Sequence, residues 1–245
     1  MITTYAERPA YVDRAFDMPD SWPEFMRYDD VAYAYFGGVV AAFPHLNVLA
    51  TLDGVQVARG MAAPFALHGG KRQGELPVGG WDRVLTWAMH DRERGVEPDT
   101  VTALEIAIDP AHLGTGLSQR MLAAMRDAAA AAGFAELVAP VRPNEKHREP
   151  HVPMAEYVTR TREDGVPVDA WLRTHVRAGA TIDSVATRSM VMAGTLAEWR
   201  ERTGLPFDEP GEVVVPGALT TVLCRPDLDH AVYVEPNVWV RHRLR

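Results

Sequence analysis

Residues 101–146 read VTALEIAIDPAHLGTGLSQRMLAAMRDAAAAAGFAELVAPVRPNEK, and the order of elements in this stretch decides the fold. TALEIAI passes from alternation into a continuous apolar run rich in β-branched residues, which predicts a strand. Asp109-Pro110 ends it, because proline interrupts the ladder and turns the chain. Leu113-Gly114-Thr115-Gly116-Leu117-Ser118 then leads into SQRMLAAMRDAAAAA, a run of strong helix formers. Gly133 suits the helix stop. A second apolar run, 134–141, predicts another strand, with Asn144 after Pro143 at its end.

A glycine turn that opens a helix leaves several backbone N–H groups unpaired beside the positive end of the helix dipole, which suits a phosphate. It serves equally as a tight strand-to-helix turn. No Gly-Lys-Ser/Thr follows, so it is not a Walker A loop. The third glycine and the acidic residue of a dinucleotide fingerprint are absent as well.

Taken whole, strand, Asp-Pro, Leu-Gly-Thr-Gly-Leu-Ser, Ala-rich helix, Gly-Phe, strand and Asn resemble the GNAT superfamily of acyl-CoA N-acyltransferases. The signature there is Gln/Arg-x-x-Gly-x-Gly/Ala. Leu113 stands where Gln or Arg is usual and Ser118 where Gly or Ala is usual, while Gly114 and Gly116 match the Arg-Gly-x-Gly form. The resemblance implies an α/β fold with a mixed, mostly antiparallel central sheet flanked by helices, a helical N-terminal segment and an extended C-terminal part. It also implies that Leu113, Gly114, Thr115, Gly116, Leu117 and Ser118 meet the pyrophosphate of acetyl-CoA or another acyl-CoA. Ile106, Ala107 and Ile108 would run along the pantetheine arm, the Ile106 amide would polarise the thioester, and Asn144 would meet the pantetheine or substrate.

The composition is that of an ordinary globular protein: 245 residues, 47% hydrophobic and 24% charged. A net charge of −8 argues against a nucleic-acid partner and is compatible with a cationic substrate such as an amine, or with simple solubility. The lone cysteine, Cys224, allows no internal disulfide and no cysteine-based zinc site; within LTTVLC it reads as a buried thiol. No apolar run approaches membrane-spanning length, and the first residues lack a signal-peptide apolar region, so a cytoplasmic enzyme is expected. Nothing marks a linker or a repeat. One domain over 1–245 is therefore expected, with the CoA-binding core at about 101–146 and acceptor-side elements at about 1–45 and 145–245. A homodimer is compatible with all of this.

Outside the core, aromatics crowd the first 44 residues, and Asp29-Asp30 starts a helix cut by Gly37-Gly38. By the resemblance this segment lines the acceptor pocket; helix packing explains its aromatics too. Asp53-Gly54 between two apolar runs (47–52 and 55–67) is the strongest hairpin signal in the chain. A glycine-rich loop over 68–80 precedes a helix over 81–94. His147 and His151 are four apart, but Pro150 and Pro153 prevent a helix from aiming both at one metal, so no metal site is expected. A short helix over 153–160 follows. Asp169 caps a helix that stops at Gly179, 181–192 alternates as a strand, a helix spans 195–203, and two tail strands flank Asp227-Leu228-Asp229.

For the chemistry, Glu105 is the only carboxylate within its strand and the candidate base. Alternation puts it opposite Ile106 and Ile108 unless a bulge resets the phase. Attack after deprotonation through ordered water needs no dedicated base. The resemblance places a proton donor to the departing thiolate four residues before the helix-ending glycine, a position held here by His175, whose ordinary pKa lies near operating pH; Tyr157 is the alternative. Glu235, Asn237 and His242 are candidates to hold the substrate from the last strand. The expected activity is acyl transfer to the amine of a small metabolite. A non-catalytic acyl-CoA-binding protein and an acyl-CoA decarboxylase remain open alternatives.

Overall fold

The computed structural model describes residues 1–69 and 71–244. Gly70, part of the expected glycine-rich loop, and the terminal Arg245 lie outside the described residues. Nine strands form one sheet: β1 (Ile2–Thr4), β2 (Val48–Leu52), β3 (Val55–Phe65), β4 (Thr100–Ile108), β5 (Glu136–Val141), β6 (Thr181–Gly194), β7 (Gly211–Val213), β8 (Val222–Arg225) and β9 (His230–Arg243). The helices are α1 (Asp30–Tyr35), α2 (Val39–Ala42), α3 (Gly80–Glu93), α4 (Leu117–Ala131), α5 (Met154–Tyr157), α6 (Ala170–Arg177) and α7 (Leu196–Thr203). The α/β architecture expected above, largely antiparallel with flanking helices, is the one observed.

Local chemistry explains most boundaries. Asp53 and Gly54 take φ of 50° and 78°, the left-handed pair a two-residue hairpin needs. Asp169 accepts from the Trp171 and Leu172 amides and starts α6, and Thr195 with Glu198 forms a capping box on α7. Trp81, Val84, Leu85 and Ala88 make the buried stripe of α3, and Leu117, Met121, Met125 and Ala129 that of α4. Both helices pack on β3, which is buried along its length except at Val55. At Gly60 α4 comes close: an added Cβ would stand 2.7 Å from the Met125 sulfur. The short β1 and β7 lie at the two ends of the strand order and went unanticipated; three residues carry too little pattern to read.

Two irregularities shape the functional end of the sheet. β4 and β5 are the parallel pair, joined only at Val101↔Leu137 and Thr102↔Val138. Past that point the strands part, leaving 103–108 and 139–141 facing each other across a cleft. The second irregularity is a bulge in β4: Glu105 pairs with Met61 and Ala103 with Ala62, so Leu104 is the extra residue. β9 pairs with β6 along one edge, with β5 (238–243) and β8 (230–233) end to end along the other. The stretch 234–237 between them is open, and it borders the same cleft.

Candidate active site

A cavity of about 520 Å³ fills the parting of β4 and β5. Residues 103–108 form one wall, 139–142 and Asn144 the other, and the glycine turn with the start of α4 closes one end. Gly114 and Gly116 both take left-handed φ, 75° and 74°, and nothing lies within 4 Å of where a Cβ would sit on either. Gly116 is the N-cap of α4, and no side chain caps the first turn. The amides there are unpaired and face open space, so the donor set fits an anionic diphosphate group without any basic side chain. Leu113, where a basic residue was expected by resemblance, is exposed and lines the cavity through its apolar chain. The Thr115 hydroxyl donates to the His112 carbonyl (2.8 Å) and does not line the cavity.

A second cavity of about 250 Å³ adjoins the first, sharing Trp22, Trp81, Leu104, Glu105 and Met190 with it. Phe16, Ala32, Tyr33, Phe36 and Gly37 from the N-terminal segment line it, together with Asp20, Arg27 and Arg59. The aromatic N-terminus therefore does wall a pocket beside the cleft.

The predicted residues separate into those that reach the cavities and those that do not. His175 lines the large cavity beside Trp171, although the residue is 2% exposed. Its Nδ1 lies 2.9 Å from His242 Nε2, while its Nε2 makes no hydrogen bond with the described residues and is not sealed from solvent. Burial, and after it the neighbouring His242, pushes the His175 pKa down to about 3. The expectation of a pKa near operating pH is thus corrected: desolvation keeps this imidazole neutral at pH 7. His242 does not reach the cavity. It is fully buried behind His175 with a pKa pushed down to about 4, so the expected contact with substrate is corrected to a contact with His175.

Glu105 lines both cavities, because the large cavity opens along the unpaired edge of β4 and takes in every residue from 103 to 108. Yet its oxygens are occupied. Arg59 donates Nε to Oε2 (2.6 Å) and Nη2 to Oε1 (3.0 Å), and Trp22 Nε1 donates to Oε1 at 2.8 Å. Three donors on a carboxylate with about four lone-pair sites leave little of it free for its expected role as base. Tyr157 is also displaced from its expected role: its hydroxyl is buried, donates to Asp169 Oδ2 (3.1 Å) and is absent from the cavity wall. Burial, with Asp169 next, pushes its pKa upward. Glu235 and Asn237 do line the large cavity. Glu235, however, already accepts from Arg142, Tyr233 and Asn237. His147 and His151 turn to different partners, the Asn144 carbonyl and Glu212.

Among the site residues, Arg59 and Arg142 escaped the sequence reading, and Trp22 entered it only as one of the N-terminal aromatics. Each carried a faint signal. Arg59 is a charge inside the apolar run VARGMAAPF, Arg142 directly follows the apolar VAPV, and Trp22 abuts Pro23 in a segment with no other order.

No model of a protein family matches the chain. An arginine N-acetyltransferase of Aspergillus versicolor, avaD, is 30% identical over 275 aligned positions, spanning 99% of this chain and 93% of that protein. Among solved structures, the loading GNATL domain of CurA from Lyngbya majuscula superimposes with a TM-score of 0.62 at 16% identity, over 100% of this chain and 97% of that one. The GphF GNAT-like decarboxylase, solved with isobutyryl-CoA, gives 0.59 at 18% identity over the whole of both chains. Sheet, parted strands and glycine turn together define a GNAT fold. The chain belongs to the GNAT superfamily and is an N-acyltransferase.

Proposed function

We propose that the protein transfers an acetyl or other short acyl group from acyl-CoA to the amine of a small guanidino metabolite of the arginine kind. The observation that carries the first half is the cleft: a left-handed glycine turn at the head of α4, opening between two parted parallel strands. The full-length likeness to an arginine N-acetyltransferase supports the second half, as does a second cavity that adjoins the cleft and has Asp20 and Glu105 in its wall.

Acyl-CoA supplies an activated thioester; the chain's residues supply position, polarisation and proton traffic. Amides of Gly114 to Ser118 hold the diphosphate at the helix N-terminus. The free edge of Ile106, Ala107 and Ile108 aligns the pantetheine arm, and an amide of this edge donates to the carbonyl oxygen as charge develops there. Asn144 at the far wall limits the arm's position. Glu105, locked by Arg59 and Trp22, shapes the junction of the two cavities. The acceptor amine then loses its proton to water rather than to a carboxylate. Neutral His175 presents Nε2 to the cavity and, with its proton on that nitrogen, donates a hydrogen bond to the departing sulfur.

Calorimetric titration with acetyl-CoA, free CoA and a longer acyl-CoA, followed by thiol release with arginine as acceptor, tests this. Saturable binding with arginine-dependent thiol release is expected. Failure to bind any CoA species overturns the reading.

A further inference from the structure

Arg142 leaves β5 and enters the open stretch of β9 between its β5-paired and β8-paired halves. Two of its three guanidinium nitrogens are spent on framework. Nε sits 3.1 and 3.0 Å from the two oxygens of Glu235, which is fully buried, and Nη2 donates to the Gly217 carbonyl. Glu235 is itself held by the Tyr233 hydroxyl (2.8 Å) and the Asn237 amide (3.1 Å). The guanidinium therefore cannot swing away. Nη1 is left over: it makes no hydrogen bond with the described residues and is not sealed from solvent, and the residue lines the large cavity. The guanidinium carbon lies 5.8 Å from the centre of the Trp22 ring, whose residue walls both cavities. A fixed guanidinium with two spare N–H donors thus lines the large cavity beside Trp22, at the edge of its junction with the second cavity.

We infer that Arg142 anchors a carboxylate subsite at this junction, through Nη1, so that the reaction selects a partner carrying a carboxylate near the reacting centre. The chemistry is specific. A planar guanidinium with free N–H groups recognises a carboxylate oxygen, and it gains nothing from an amine or an alkyl chain. Glu235 does not occupy the site, because its oxygens meet the guanidinium at Nε and leave the Nη1 N–H groups free to donate. Two partners can carry the group: an α-amino acid acceptor, or an acyl-CoA with a carboxylate on the acyl chain. This inference deepens the acceptor reading proposed above and rests on it.

The test uses the intact wild-type protein first. With acetyl-CoA as donor, kcat/KM is measured for arginine, for arginine amide, whose carboxylate is neutralised, and for agmatine, which lacks it. Losing one charge-assisted contact should favour arginine by about a hundredfold over both. In Arg142→Lys, which keeps a cation for Glu235 but removes the planar fork, the arginine-to-agmatine ratio should fall towards one. A parallel arm measures binding of malonyl-CoA against acetyl-CoA by calorimetry. A malonyl preference that Arg142→Lys removes, without discrimination among acceptors, assigns the carboxylate to the donor. Equal use of arginine and agmatine together with equal binding of both thioesters overturns the subsite while leaving acetyl transfer intact. Thiol release with no acceptor at all, despite acetyl-CoA binding, overturns the acceptor reading instead.

Discussion

His175 keeps one nitrogen towards the cavity and the other on a second buried imidazole. Burial holds it neutral, so it donates without ever being an imidazolium near pH 7. Two consequences follow. His175→Ala should cut kcat by roughly a hundredfold or more, the usual scale for a lost hydrogen-bond donor to developing charge, with acetyl-CoA affinity by calorimetry little changed. The wild-type pH–rate profile should carry no imidazole inflection near pH 6.5, since the group titrates far below. Asp82 is a different, half-buried case. Its Oδ2 accepts from the Val191 amide, Oδ1 has no partner among the described residues, and burial, with Asp29 next, pushes its pKa up to about 8. A carboxyl raised in the folded state contributes stability that is present below its unfolded pKa and lost as pH rises towards 8. Asp82→Asn keeps the acceptor for Val191 and removes that loss. Urea melts should show the variant gaining on wild type between pH 4 and pH 8, by on the order of 1–3 kcal/mol.

Elements were legible where a short stretch carries its own physics. The Asp53-Gly54 hairpin, the cap of α6 at Asp169 and the end of α4 near Gly133 each rest on chemistry within a few residues. The glycine turn is the functional example, and it is demanding. Gly116 holds φ of 74° in open space, so a branched residue there suffers both backbone strain and obstruction of the amides. Gly116→Val should weaken acetyl-CoA binding about tenfold or more, with a stability cost of roughly 1–2 kcal/mol. Calorimetry beside a thermal melt separates the two. What no stretch reveals is the Leu104 bulge. The carbonyl that the bulge frees finds its partner elsewhere in the chain: Trp81 Nε1 donates to Leu104 O at 2.8 Å, an α3-to-β4 contact.

Over the whole molecule, one buried network ties the irregular N-terminal segment to the sheet. Arg59 on β3 bridges Glu105 on β4 and Asp20, at 2.6 and 2.8 Å, and all three side chains are nearly inaccessible. Removing the cation alone leaves buried Glu105 with only the Trp22 indole and Asp20 with Arg27 as its one cationic partner. Arg59→Met should therefore cost about 3–5 kcal/mol, and the double change with Glu105→Leu noticeably less than the sum of the two single changes. Urea denaturation of the four proteins closes the cycle. The same network sets the wall between the two cavities, so the double variant that still folds should retain acyl-CoA binding yet lose discrimination among acceptors.

The division between sequence and structure follows the range of the forces involved. Sheet class, the strand–turn–helix–strand order of 101–146, the glycine cradle and the GNAT resemblance came from residues adjacent in the chain, where propensity, capping and left-handed φ act locally. Only the tertiary structure decided which side chains share a site. Glu105 became a structural partner because Arg59 and Trp22, 46 and 83 positions away, took its oxygens. Tyr157 was claimed by Asp169, and His242 was placed behind His175 instead of beside the substrate. Arg142 became a cavity residue because β5 and β8 leave the edge of β9 open. Hydrogen-bond partners and burial are properties of packed surfaces brought together from distant parts of the chain, and no local pattern encodes them.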